Sequence, residues 1–454
     1  MNNKLKKEIG LFVATALVIG NMMGAGIFML PKQLAQVGGV GSSIIAWIIT
    51  GIGAMTLAIT FANLGSKIPK SGGIVDYSKN AFGDFMGFMT GWLYWNGSWI
   101  GNTTLFVVIL SYFGQVFTTL TNSPLIGFLF CSAILWTFTY INIRGAKAAS
   151  KLGTVITVFK ICLFVFFIII AAINFNKDNL MPMFPADRGV QTIPLTAAIT
   201  LWAFMGLETA SITSGEIKNP EKNVKRSTIL GIGISTILYI LISVLAMGAM
   251  PQSELAQTSA PISDIIAKFL GSGVVKYLNV AIAISICGTA LGWLLSTARV
   301  AYAAGDQGIF PKAFAKLHPK YETPYIALIV GSTLVNIMFL MNFIQGLSNA
   351  YNFIVLLATI SYLPIYAVTT IAEIMLLRKK TQKLSVLSII KSSFRNIVGF
   401  IFAIWAISSA GGEAVMYGFL LMMLGVPVYA YMKIKRENTN DTTNQGFDDE
   451  SKAS

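Results

Sequence analysis

Apolar runs about as long as a bilayer is thick recur from one end of the chain to the other, at 9–37, 43–66, 82–115, 124–142, 152–174, 193–213, 227–250, 273–304, 324–341, 350–376, 396–410 and 415–433. Roughly 20 consecutive apolar residues cross the hydrocarbon core as a helix, which pairs its backbone N–H and C=O groups within itself. Composition agrees, since 55% of the 454 residues are hydrophobic and 11% charged, too little polar surface to coat a soluble globule. The alternating ten-residue segments of a membrane β-barrel are absent from the sequence. The expected fold is all-α, a polytopic membrane protein with twelve transmembrane helices.

Charge placement orients these spans. With the amino terminus in the cytoplasm, 26 of the 33 Lys and Arg fall on the cytoplasmic side, and only Lys32, Lys177, Arg188, Lys268 and Lys276 fall outside. Both termini are therefore expected in the cytoplasm, in a multi-pass protein of the cell membrane. The net charge of +14 reads as this topology signal and contact with anionic membrane lipid, with no nucleic-acid partner. Lys4, Lys6 and Lys7 before the first apolar run imitate a signal peptide, but the run continues past Gly26 and reads as an uncleaved helix. The polar tail, 437–454, is expected to be a disordered cytoplasmic segment.

Two spans carry breaks. Span 1 contains Gly20-Asn21-Met22-Met23-Gly24-Ala25-Gly26-Ile27-Phe28, and span 6 contains Gly206-Leu207-Glu208-Thr209-Ala210. Glycine loosens a helix, and unpaired backbone at bilayer depth is tolerated only within protein or beside a cavity; close helix packing is the alternative use of such glycines. Interrupted spans five apart point to an inverted-repeat transporter whose site lies near the midplane. The repeats would be 1–175 (spans 1 to 5) and 176–377 (spans 6 to 10), with 378–436 (spans 11 and 12) an appendage suited to contact with a second copy in a homodimer. Freed amides at one half-helix suit a carboxylate and freed carbonyls at another suit an ammonium, so the site reads the backbone of an amino acid or an amine. Glu208 lies in an otherwise apolar stretch, where a carboxylate costs about 2.5–3.5 kcal/mol and needs a partner, a proton or a water-filled cavity.

Four motifs carry a family resemblance: Gly24-Ala25-Gly26-Ile27-Phe28, Trp202 to Glu208, Lys218-Asn219-Pro220-Glu221-Lys222-Asn223-Val224, and Gly305-Asp306-Gln307-Gly308-Ile309-Phe310-Pro311. With them, nearly the whole chain resembles the amino acid-polyamine-organocation superfamily, and most of all its bacterial arginine/agmatine and ornithine/putrescine antiporters. The resemblance implies a LeuT-type 5+5 inverted repeat with helices 1 and 6 broken. It implies substrate contacts from Met23, Gly24, Ala25, Gly26, Ile27, Asn102, Trp202, Ala203, Met205, Gly206 and Trp293. Trp202 matches an aromatic gate and Trp293 a tryptophan packed on the substrate, while interfacial or core packing is the alternative use of each indole. Tyr94 matches a gate position. Glu208 matches a carboxylate that couples protonation to release; a permanently paired strut is its alternative role.

The chain departs from that antiporter pattern in several places. Lys160 stands at bilayer depth where those antiporters are uncharged; it resembles a span 5 lysine of neutral amino-acid exchangers and cationic transporters, whose ammonium takes the place of sodium. The resemblance thus implies sodium independence, and a buried lysine can itself carry a proton. Ala25 replaces a serine, and Val355 aligns with a hydroxyl residue of the arginine site, so fewer polar groups reach the substrate side chain. Asn96 is a polar addition that would offset this, and neutral and cationic amino acids both remain open. In the loop after span 6, Glu216 and Glu221 are expected to pair with nearby lysines at an inner gate.

No cofactor or metal is expected. Cys131, Cys162 and Cys287 are scattered singly and read as packing residues, and the one histidine, His318, reads as solvated. Gly231-Ile232-Gly233 lacks the strand-turn-helix setting of a dinucleotide site. The expected function is a sodium-independent amino-acid antiporter working by alternating access; the alternatives are a proton-coupled symporter and a non-transporting amino-acid sensor on the same scaffold. An enzyme is not expected, for want of a catalytic constellation.

Overall fold

The computed structural model describes residues 5–184, 189–258, 260–344, 354, 360–377 and 386–453, with side chains described except at 386–392 and 437–453. Val355, Arg188 and the basic 378–383 stretch lie outside the described residues. The chain is helical throughout: among the described residues the sole β-type contact is an isolated bridge between Ile9 and Ile217.

In chain order the first helices are α1 (Leu11–Met22), α2 (Gly26–Val37), α3 (Gly39–Lys67), α4 (Gly73–Phe82), α5 (Asp84–Gly114), α6 (Thr119–Asn122), α7 (Pro124–Arg144) and α8 (Ala146–Ile173). Then come α9 (Ile193–Trp202), α10 (Thr209–Ile212), α11 (Pro220–Ala249), α12 (Gln252–Leu255), α13 (Pro261–Leu270) and α14 (Val275–Asp306). The last are α15 (Tyr325–Phe343), α16 (Tyr362–Leu377), α17 (Val386–Ser409) and α18 (Gly412–Ala453). Among the described residues seven helices are long and apolar enough to cross a membrane, or eight if the bent pair α1 and α2 is one span.

Two boundaries differ most from the sequence reading. The run at 396–410 lies in a helix that begins earlier, at Val386; within it Arg395 and Asn396 both donate to the Glu373 carboxylate, which also accepts from Asn63. The stretch after Glu437 continues as helix to Ala453, with neither a proline nor a paired glycine to stop it.

α14 packs along α5 and α8, and α11 packs along α3 and α1. Lipid gives apolar helices no hydrophobic reason to associate, so packing and polar contacts hold them together. Trp47 stacks on Tyr239 at 5.5 Å and donates its indole N–H to Ser243. Hydroxyl pairs join other helices: Ser42 with Thr192, Thr50 with Thr200, and Thr139 with Ser332. At the end near the amino terminus, the Ile9 and Glu8 amides donate to the Glu216 carbonyl. The Glu216 side chain takes a bidentate contact from Arg299 at 2.7 and 3.1 Å, with both groups buried.

This buried pair is a costly one to break. Arg299→Met strands Glu216 and should lower stability in detergent by about 3–5 kcal/mol, whereas the Arg299→Met, Glu216→Leu double variant should recover much of that. A double variant as unstable as the single one in thermal unfolding would contradict this.

Candidate functional site

The first membrane helix stops at Met22 and resumes at Gly26, with a bend of 44° between α1 and α2. Met23 N–H still reaches Ile19 O at 2.9 Å and Gly24 N–H turns back to Met22 O, but the amides of Ala25, Gly26 and Ile27 find no acceptor among the described residues. No side chain caps α2. Gly24, Ala25, Gly26 and Ile27 line a cavity of about 340 Å³, so the positive end of α2 opens into it.

The carbonyls on the other side of the break are taken. Lys160 Nζ lies 2.5 Å from Met23 O, 3.5 Å from Gly20 O and 2.6 Å from Thr289 Oγ1. The Thr289 hydroxyl is also 2.8 Å from Gly20 O and 3.0 Å from Met23 O, and Trp293 Nε1 donates to Asn21 O at 3.1 Å. The carbonyls of Gly20, Asn21 and Met23 are thus taken by side chains of α8 and α14, and the amides beyond the break are left free for a ligand.

The second interruption runs through Ala203–Glu208, between α9 and α10. Gly206 adopts φ +102°, a conformation that disfavours a side chain, and a Cβ there would sit 3.0 Å from the Asn21 backbone carbon. Asn21 fastens the two breaks, donating to Thr209 at 3.0 Å and to Ser296 at 3.2 Å. Gly292 makes room for it, because a Cβ there would lie 2.1 Å from Asn21 Oδ1. Tyr239 caps the freed Ala203 carbonyl at 2.8 Å.

The cavity wall is mostly apolar and aromatic, with Asn21, Gln33, Ser98, Asn102, Thr104 and Thr289 as its polar side chains and no carboxylate among the described residues. Both polar atoms of the buried Asn102 amide lack a partner among the described residues. Gln33 and Leu30 of α2, with Thr104, Leu105 and Ile199, carry the cavity away from the amino-terminal face, and Trp202 stands at 42% exposure beside it. In the opposite direction Trp293 stacks on Tyr94 at 6.2 Å and meets Tyr362 edge-on at 5.6 Å. Behind this floor Glu208 accepts from Tyr94 at 3.0 Å and Tyr366 at 2.7 Å.

Of the residues singled out in the sequence, Gly24, Ala25, Gly26, Ile27, Asn102, Trp202, Ala203, Met205 and Trp293 line the cavity. Met23 and Gly206 do not; their backbones brace the breaks. Tyr94, Glu208 and Lys160 lie one layer behind the wall. Asn96 is turned away, donating to Trp92 O and accepting from Trp99, so it does not offset the lost polar groups. Glu216 pairs with Arg299 and not with loop lysines, because it is buried beside α14. His318 is half-buried, its ring 4.7 Å from Tyr321. Sequence reasoning missed Thr289, Tyr362 and Tyr366; the two tyrosines stand one helical turn apart in an apolar helix, a visible signal.

A many-helix membrane protein with paired helix breaks around a small-molecule cavity is built as a transporter. The chain belongs to the amino acid permease family, which it matches over residues 9–433. It is 31% identical to an arginine/agmatine antiporter of Chlamydia caviae, over 96% of this chain and 92% of that protein. It is 28% identical to an arginine/ornithine antiporter of Pseudomonas aeruginosa, over 95% of this chain and 92% of that one. It is 29% identical to the putrescine transporter PotE of Escherichia coli, over 97% of this chain and 99% of that one.

The Lys160 contacts make a direct expectation. Lys160→Met removes the donor from the Met23 and Gly20 carbonyls and should weaken substrate binding at least about tenfold, the equivalent of one lost charge-assisted hydrogen bond. Calorimetric titration of the purified protein checks this, and an unchanged affinity would make the lysine dispensable to the site.

Proposed function

We propose that this protein is a sodium-independent antiporter that exchanges small amino acids or amines across the cell membrane by alternating access. The reading assumes twelve spans arranged as two inverted repeats, 1–175 and 176–377, followed by spans 11 and 12, with both termini in the cytoplasm. One observation carries it: the interrupted α1–α2 segment turns unpaired amides into a cavity at the level of the second interruption, an arrangement suited to holding and releasing a small polar solute. Two of the relatives are named as antiporters, of arginine with agmatine and of arginine with ornithine, and the third as a putrescine transporter.

In this reading the cavity faces outward. A substrate carboxylate, where present, meets the amides of Ala25, Gly26 and Ile27, while its side chain lies toward Asn102 and Trp293. Trp202 closes over it from the mouth. The floor of Tyr94, Tyr362 and Trp293 then parts, the Arg299–Glu216 contact and the Ile9–Ile217 bridge separate, and the substrate leaves inward. Lys160 occupies the carbonyl cluster that a coupling cation would otherwise fill, which supports independence from sodium. Glu208, held by two tyrosine hydroxyls, links the floor to the second break and is positioned to couple protonation to opening.

Proteoliposomes loaded with labelled arginine test the proposal. Efflux should require an external amino acid or amine and should be unchanged when sodium is replaced by choline; efflux into substrate-free buffer at the same rate would reject antiport. In the same assay, Glu208→Gln should flatten the dependence of exchange on pH. A profile identical to wild type with the same maximal rate would leave Glu208 as a strut.

A further inference from the structure

At the amino-terminal face, the end of α7 carries a cation held in a manner that orientation of the chain in the membrane does not require. The Arg144 guanidinium carbon lies 5.4 Å from the Tyr140 ring centroid and 5.5 Å from that of Tyr321, and Nη1 donates to the Tyr321 hydroxyl at 2.8 Å. Lys320 Nζ lies 5.7 Å from the same Tyr321 ring. Two cations thus share one ring, and no carboxylate among the described residues pairs with either. The adjacent Glu322 carboxylate is engaged by Lys6 at 3.3 Å. Two exposed cations around one ring repel each other weakly, and an anion bound at both would remove that cost.

The helix below supplies the rest of a site. Leu129, Trp136, Tyr140 and Arg144 fall at spacings that place them on one face of α7. Leu129 is 54% exposed, Trp136 39% and Tyr140 56%, so this face is turned away from the bundle along a helix of membrane length. An apolar and aromatic stripe that ends at a guanidinium matches an acyl chain that ends at a phosphate. Guanidinium binds phosphate in a planar, bidentate manner, and the Tyr321 hydroxyl together with the Tyr140 ring restricts where this one can lie. Lys147, three residues on and exposed, adds a further cation at the same end.

We propose that Arg144 and Lys320, with the stripe of Leu129, Trp136 and Tyr140, form a binding site for one anionic phospholipid, its phosphate between the two cations and an acyl chain along the stripe. This site is separate from the substrate cavity and does not depend on the transport reading. The exposed lysines of α11, Lys222 and Lys225, have no ring contact among the described residues and serve as the comparison surface.

The full-length protein, washed free of lipid in detergent, is offered phosphatidylglycerol or phosphatidylcholine in mixed micelles, and the lipid retained after gel filtration is counted by mass spectrometry. The wild type should retain phosphatidylglycerol over phosphatidylcholine, and Arg144→Gln should lower that retention about fivefold, the effect of removing one basic residue at an anionic headgroup. Arg144→Lys should fall between, since it keeps the charge and loses the planar fork of donors. Lys225→Gln should leave retention unchanged, and excess glycerol 3-phosphate should not displace the lipid. Equal retention of the two lipids, undiminished retention by Arg144→Gln, an equal loss in Lys225→Gln, or displacement by glycerol 3-phosphate would each overturn the proposal. Should Arg144→Gln fail to elute as a single folded species, Tyr140→Leu with Lys320→Gln gives the same reading, reduced retention supporting the site and wild-type retention refuting it.

Discussion

Backbone polar groups that a helix break releases at bilayer depth must find partners, and the organisation of this protein follows from how they do so. The α1–α2 break frees carbonyls on one side and amides on the other. The carbonyls of Gly20, Asn21 and Met23 are met by Lys160, Thr289 and Trp293, side chains fixed on long continuous helices. The amides of Ala25, Gly26 and Ile27 are left facing the cavity. A fully satisfied break would be only a kink, whereas a half-satisfied one creates a place for a ligand.

The same logic explains the mechanical layers. Asn21 ties the first break to the second through Thr209 and to α14 through Ser296, so the two interruptions share a hub. Beneath the cavity an aromatic floor rests on Glu208, whose two tyrosine donors come from α5 and α16. Farther toward the amino terminus, Arg299 and Glu216 join α14 to the segment after the second break. Each layer joins an interrupted helix to a continuous one, and such contacts can exchange between two discrete arrangements. Charge matters to the driving force as well: moving one net charge across 100 mV is worth about 2.3 kcal/mol, so exchange of a dication for a monocation differs from exchange of neutral solutes.

Much of this was legible in the residues. The helical class followed from the apolar runs, and both interruptions from glycines beside polar residues in those runs. Glu208 and Lys160 announced themselves as charges at bilayer depth. Less legible was which side of a helix such residues occupy. Asn96 and Asn102 lie in the same helix and look equivalent in sequence, but one turns back onto Trp92 and Trp99 while the other faces the cavity. Glu216 looks like a loop residue, and only tertiary packing brings Arg299, 83 positions away, against it. Long-range pairing of this kind leaves no local period to read. The contacts of Arg395 and Asn396 in α17 with Glu373 on a different helix are of the same kind.

The measurement that bears most directly on the role of the helix breaks is an experimental structure of the protein with an amino acid bound. The expected result places the ligand carboxylate within hydrogen-bond distance of the Ala25, Gly26 and Ile27 amides, with the side chain between Asn102 and Trp293. A ligand seated elsewhere, or one whose carboxylate pairs with Lys160 after displacing it from the Met23 carbonyl, would contradict the view that the break in the first helix makes the site.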